Sequence, residues 1–143
     1  MNWDTTSIVP YSYYESYFNI SFINDQIGFV FGPDLWVTTN GGINWNKVDD
    51  YIKPNFMKIQ FINTSSGFAI GGDGYYGGSS FYKTSDGGYS WAKLYEGNPN
   101  SSFNGFFMMD SLKGWLTEYN SLFKTTNGGY EWTEVVVDTL LEF

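Results

Sequence analysis

The chain contains no cysteine and no histidine, and none of its seven basic residues is an arginine. Without cysteine, disulfides, thiolate metal sites and thiol nucleophiles are all excluded, and the sequence carries no sign of its redox compartment. Seven lysines against fifteen acids give a formal charge of -8, which argues against a nucleic-acid backbone or an anionic membrane surface as partner. No apolar run approaches the ~18 residues that membrane insertion needs. The N-terminus lacks the basic and apolar regions of a signal peptide. Either the chain stays where it is made, or a leader that took it out of the cytoplasm has been removed. Strong helix formers are also scarce. The 143 residues suffice for one domain with a buried core, and the abundance of Gly, Tyr, Phe, Thr, Ser and Asn predicts short strands joined by tight turns.

The sequence repeats itself. "TTNGGINW" at 38–45 returns as "TSDGGYSW" at 84–91 and "TTNGGYEW" at 125–132. Upstream of each copy lies an apolar strand, a short turn and Gly-aromatic, with the glycine six residues after the first apolar residue: Phe22 to Gly28, Phe61 to Gly67, Met108 to Gly114. Each unit then reads as four short strands; in the first they are "YFNISFI", "GFVFG", "LWVTT" and "NWNKV". Three units of about 40 residues with four strands apiece match the blade of a β-propeller. The fold class predicted is all-β, with three four-stranded antiparallel blades. Residues 17–50, 51–97 and 98–143 form the blades, and residues 1–16 an N-terminal arm or outer strand.

The octapeptide has a physical task within each blade, where it spans the third strand, a hairpin turn and the start of the fourth strand. Asn40, Asp86 and Asn127 can accept hydrogen bonds from N–H groups of the turn, while Gly42, Gly88 and Gly129 meet the need for positive φ. Thr38, Thr84 and Thr125 can add a hydroxyl to this network. Trp45, Trp91 and Trp132 supply large apolar bodies to seal the blade, each with an indole N–H that must find a partner. This reading of the pattern is structural.

On these residues the chain resembles proteins with Asp-box (BNR) repeats, with Thr for the usual Ser and with Asn for Asp in two copies. The longer unit, an apolar strand, Gly-Phe/Trp and then "T-x-N/D-G-G-x-x-W", is most similar to propellers of the photosystem II assembly and stability factor type. Sialidases, xyloglucanases and sortilin-like receptors share the box in other settings. The resemblance covers roughly residues 17–137. It implies a propeller but no one activity, since enzymes, receptors and assembly factors all carry the box. The two Asn copies argue against a charge-dependent role for it.

Propellers typically need about four to eight blades, so three leave two apolar faces to cover. Two protomers could pair into a six-bladed ring, or the chain could be a piece of a longer propeller. "NWDTTSIV" at Asn2 echoes "NWNKVDD" at Asn44, as if Trp3 belonged to a preceding blade; residues 1–16 serve equally as an outer strand or interface arm. Self-association, a dimer foremost, is the expected partnership.

Successive hairpins of an up-and-down blade alternate between two rims. The octapeptide turns therefore share one rim with the first turns "NDQ", "NTSS" and "DSLK", and the opposite rim receives the second turns and the interblade links. Acids and tyrosines concentrate on that opposite rim: Asp34, Asp49, Asp50, Tyr51, Asp73, Tyr75, Tyr76, Glu96, Glu118 and Tyr119. The second unit is longer here. Gly67 to Thr84 is seventeen residues, against ten and eleven in the other units, and the excess is "GGDGYYGGSS". An insertion on one face of a repeat array reads as a binding loop, or as an extended hairpin in which the tyrosines pack. Asp50, Tyr51, Asp73, Tyr75, Tyr76, Glu118 and Tyr119 are the candidate ligand-binding residues, for a protein or a glycan.

No catalytic residue, metal or cofactor is assigned. A sialidase, by resemblance, would clamp a carboxylate with arginines, and the chain has none. A glycoside hydrolase needs two carboxyls about 5 to 9.5 Å apart, for which Asp49, Asp50, Asp73 and Glu118 are chemically available. The Asp73 loop offers calcium a single carboxylate, short of a site. Two classes of function follow: a non-catalytic module that binds a protein or glycan through its acidic, tyrosine-rich rim and self-associates through blade faces, and a subunit or fragment of a carbohydrate-active hydrolase.

Overall fold

A computed structural model describes residues 19–32, 34–48, 55–72 and 78–136. Every regular element among them is a strand, and the twelve strands form three separate four-stranded antiparallel sheets, each in simple sequence order. Blade 1 comprises β1 (Asn19–Phe22), β2 (Gly28–Phe31), β3 (Leu35–Thr38) and β4 (Asn46–Lys47). Blade 2 comprises β5 (Asn55–Phe61), β6 (Gly67–Gly72), β7 (Ser80–Thr84) and β8 (Ala92–Glu96). Blade 3 comprises β9 (Phe103–Met108), β10 (Gly114–Glu118), β11 (Ser121–Thr125) and β12 (Thr133–Val135). The all-β expectation with three four-stranded antiparallel blades is met strand for strand. The proposed arm at 1–16, with Trp3, lies outside the described residues.

The blades stack because their strands alternate apolar side chains to both faces. In β6, Phe68 and Ile70 enter the core shared with blade 3, whereas Ala69 between them enters the core shared with blade 1. We call the face toward the preceding blade leading and the face toward the following blade trailing. At the first junction the trailing residues Phe29, Phe31 and Val37 pack on the leading residues Phe56, Ile59, Tyr82 and Trp91. At the second, Phe68, Ile70 and Phe81 pack on Phe106, Met108 and Leu116. Blade 2 is thus buried on both sides. Each fully buried Phe contributes about 1.5–3 kcal/mol, so the two junctions carry much of the driving force.

The first strands of successive blades touch, and at the second junction polar side chains clasp the neighbour's backbone. Gln60 Nε2 donates to the Met108 carbonyl at 2.7 Å while the Met108 N–H donates to Gln60 Oε1 at 2.9 Å. Lys58 Nζ donates to the Phe106 carbonyl at 2.5 Å and sits 5.2 Å from the centre of its ring. Because these side chains satisfy backbone groups that the ladder leaves free, they fix the register between blades as well as their distance.

The octapeptides begin at the last residue of each third strand and end one residue before the fourth, a slightly narrower span than the sequence suggests. The ladder resumes only after the tryptophan has turned onto the leading face, where Trp91 meets Phe61 of its own blade and Trp132 meets Phe81 of the preceding blade.

Candidate functional site

The two rims differ in what they are built to do. On the first, the three octapeptides make one hydrogen-bond network three times. The threonine hydroxyl donates to the Asx Oδ1 (Thr38 to Asn40 at 3.0 Å, Thr84 to Asp86 at 2.8 Å, Thr125 to Asn127 at 3.0 Å). The same oxygen accepts the N–H of Gly42, Gly88 or Gly129 at 2.9, 2.9 and 3.0 Å. The Asx Oδ1 in turn accepts the N–H of Asn44, Ser90 or Glu131. The geometry is the same for Asn and Asp, so charge is not what it needs. Burial raises the pKa of the Asp86 carboxyl, but hydrogen bonds from Ser90, Thr84 and Tyr89 outweigh it and hold the group below 3.8.

Two features of this rim escape a reading of the octapeptide alone. The glycine before the named one is also left-handed, at φ 70°, 76° and 79° for Gly41, Gly87 and Gly128. Its N–H donates to the first turn of the same blade, to Gln26, Ser65 and Leu112 carbonyls at 2.8 Å each. Asn24, Asn63 and Asp110 close those first turns by accepting two backbone N–H groups apiece. The signal was present in the sequence as an Asn or Asp opening each first turn.

On the opposite rim the described residues gather around a pocket. The link "GNPNSS" between β8 and β9 turns at Pro99, with the Ser101 N–H donating to the Asn98 carbonyl at 3.0 Å, as an Asn-Pro start favours. The turn aims the Asn98 N–H (2.8 Å) and the Ser101 hydroxyl at Oε1 of Glu118. Gly97 lets the link pass, since a Cβ there would stand 2.6 Å from the Phe103 ring and 3.0 Å from Glu118 Oε1. Glu118 is only 8% exposed. Both of its hydrogen bonds fall on Oε1, and its side chain lines an open pocket of about 380 Å³ with Asn98, Asn100, Ser101, Tyr119, Ser121 and Phe123. Behind the carboxyl, Tyr95 stacks on Phe103; burial first, and the negative charge of Glu118 second, push its phenol pKa up.

Tyr119 stands beside it at φ 50°, the one non-glycine residue with positive φ among those described, and its side chain is 76% exposed. Asn104 Nδ2 donates to its carbonyl at 3.0 Å. A bulky residue held in the left-handed region costs on the order of 1–3 kcal/mol, here within a rim that leaves the ring in solvent.

Of the ligand-binding residues read from the sequence, Glu118 and Tyr119 are adjacent in this pocket. Asp50, Tyr51, Asp73, Tyr75 and Tyr76 lie outside the described residues, as does Asp49. Asp34 is paired with Lys47 at 2.9 Å and Glu96 with Lys93 at 3.3 Å. The pocket residues that sequence reasoning missed are Asn98, Asn100, Ser101, Ser121 and Phe123, the first three on the link that Gly97 opens. The Gly-Asn-Pro composition marks a link, but nothing in it announces that the link folds onto a carboxyl twenty residues downstream.

No protein-family model matches the sequence. A photosystem II stability/assembly factor, HCF136, from Guillardia theta is 35% identical over 65 residues, covering 38% of this chain and 15% of that protein. Among solved structures, YCF48 bound to D1 peptide superposes with a TM-score of 0.68 at 20% identity, over 84% of this chain and 40% of the other. YCF48 from Cyanidioschyzon merolae gives 0.68 at 20% identity over 90% and 39%. An ancestral GH74 enzyme also gives 0.68 at 20% identity, over 84% of this chain and 18% of its own. The three sheets are β-propeller blades. At these identities the likeness to solved structures establishes fold alone. The chain spans about 15% of the curated relative and 40% of the YCF48 chain.

Proposed function

We propose that the chain is a non-catalytic propeller module that binds a protein segment across the rim carrying Glu118 and Tyr119 and self-associates through its blade faces. The observation that carries this reading is the Glu118 carboxyl: buried, pinned at one oxygen by the 98–101 turn, with no hydrogen bond from the described residues to its other oxygen, beside an open pocket. A carboxyl so held is suited to a lysine or arginine of an incoming peptide, because its position is fixed before the ligand arrives. Tyr119 supplies an exposed ring beside it, and the 71–80 insertion with Tyr75 and Tyr76, together with Asp50, Tyr51 and Asp73, belongs to the same proposed surface. Support comes from the YCF48 chain solved with a D1 peptide, a propeller of the same blade build.

The test is selection of a random-peptide display library on the immobilised chain. Enriched peptides should carry Lys or Arg and lose binding at least tenfold to Glu118→Gln and to Tyr119→Ala. Peptides that bind both variants unchanged would remove this rim from the proposal. The alternative rests on the shared fold of the GH74 enzyme: reducing sugar released from β-glucan by the wild type, and lost with Glu118→Gln, would make the chain part of a hydrolase.

A further inference from the structure

Each junction between described blades joins two unlike faces, and the two faces that no described residue covers are one of each kind. The leading face of blade 1 copies that of blade 2. Phe22 and Trp45 meet at 6.1 Å between ring centres, as Phe61 and Trp91 do at 6.0 Å. On blade 2 this pair is capped by the preceding blade. Phe29 stacks on Phe61 at 4.9 Å and comes so close to Gly88 that a Cβ there would stand 2.9 Å from it. Gly129 also receives a ring of blade 2, here Phe81 of the third strand β7 rather than the residue after the opening glycine. Gly42, with the same positive φ of 89°, would bring its Cβ against nothing but its own Trp45, at 3.6 Å. Blade 1 has a ring seat with no ring in it among the described residues, and Phe22 and Ile20 beside it are 45% and 56% exposed.

The trailing face of blade 3 offers the missing part. Trp115 follows the opening glycine of β10 as Phe29 follows that of β2 and Phe68 that of β6. The ladder sets Trp115 opposite Phe107 and Lys124, on the face away from the Phe106, Leu116 and Met108 core. Phe107, 57% exposed, occupies the position that Gln60 fills in β5. Resting on the self-association proposed above, we infer its geometry: blade 3 of one copy docks head to tail on blade 1 of a second copy, with Trp115 seated over Phe22 against Gly42 and Trp45. The contact would repeat the one that Phe29 makes on Phe61 and Gly88 at the first junction. Two copies close six blades, inside the usual range of about four to eight, through two identical heterologous contacts.

Light scattering behind a sizing column tests this on the full chain. The wild type should show twice the 16.3 kDa of one chain. Phe22→Lys and Trp115→Lys should each run as monomers with unchanged far-ultraviolet circular dichroism. Their equimolar mixture should recover the dimer, because one intact seat then meets one intact tryptophan. Ile43→Lys, at the exposed tip of the octapeptide turn, should leave the dimer in place. A wild-type monomer would overturn both self-association and this geometry. A dimer that survives Trp115→Lys, or one that mixing fails to restore, would overturn the head-to-tail contact and leave self-association standing.

Discussion

The ring of Phe29 in blade 1 lies against Gly88 in blade 2, where a Cβ would come within 2.9 Å of two ring carbons. Sequence explains this glycine by its turn, at φ 92°, but the turn is only half of the reason. Gly42 has the same backbone and, among the described residues, no ring closer than that of its own Trp45, at an ordinary contact distance of 3.6 Å. Gly42→Ala should therefore cost about 1–2 kcal/mol for the left-handed conformation, and Gly88→Ala a further 1–3 kcal/mol for overpacking. Urea midpoints of the two variants, compared at constant m-value, measure the difference; equal losses would mean that Phe29 yields freely.

The octapeptide tryptophans are alike in sequence and unlike in bonding. Trp91 Nε1 donates to the Gly88 carbonyl at 3.0 Å, while Trp132 Nε1 is buried with no acceptor among the described residues. Phe at either position loses apolar area, but only Trp91→Phe also breaks a hydrogen bond and leaves a carbonyl unmet. It should be the more destabilising by about 1 kcal/mol, read from paired denaturant melts.

Asp86 and Asp110 each hold their carboxyls below the ordinary value, Asp110 chiefly through the Leu112 and Lys113 N–H groups. A carboxyl whose folded pKa is depressed adds stability above its unfolded pKa and loses it as pH falls through the folded value. The wild type should thus lose melting temperature below about pH 4. The double variant Asp86→Asn, Asp110→Asn keeps the acceptor oxygens, as the other blades do with Asn, and should show a shallower acid limb in scanning calorimetry. An identical limb would place the acid sensitivity elsewhere.

Tyr119 is held in a conformation that asparagine tolerates better. Tyr119→Asn should raise the urea midpoint by the equivalent of up to about 1 kcal/mol. On the rim reading the same substitution removes the exposed ring and weakens captured peptides. A gain in stability with loss of binding would identify strain kept for function; a loss of stability would show that the ring, despite its exposure, supports the fold.

The three octapeptides made the fold legible, because each carries within eight residues every group its turn needs: a hydroxyl, an Asx oxygen, two glycines and a tryptophan. Strand order followed, since local hairpins leave little choice of partner. The candidate site was legible only where a strand ends. Glu118 and Tyr119 could be placed on the rim by counting hairpins, whereas the bonds from Asn98 and Ser101 span twenty and seventeen residues and have no periodicity to betray them. Gly97 reads as an ordinary link glycine, and only the Phe103 ring and the Glu118 carboxyl on either side of it show why a side chain cannot fit.

Among the described residues of a single copy, blade 2 is the one unit whose sheet is covered on both faces, with Phe68 and Ala69 at 0% exposure on opposite sides of the same strand. In a linear array held by nearest-neighbour contacts, such a unit is the last to open. The outer blades can fray one at a time while β6 and β7 keep their amide protons. A variant that stays monomeric, such as Trp115→Lys, should therefore show a protected centre flanked by two more yielding blades, and limited proteolysis should stop last at blade 2.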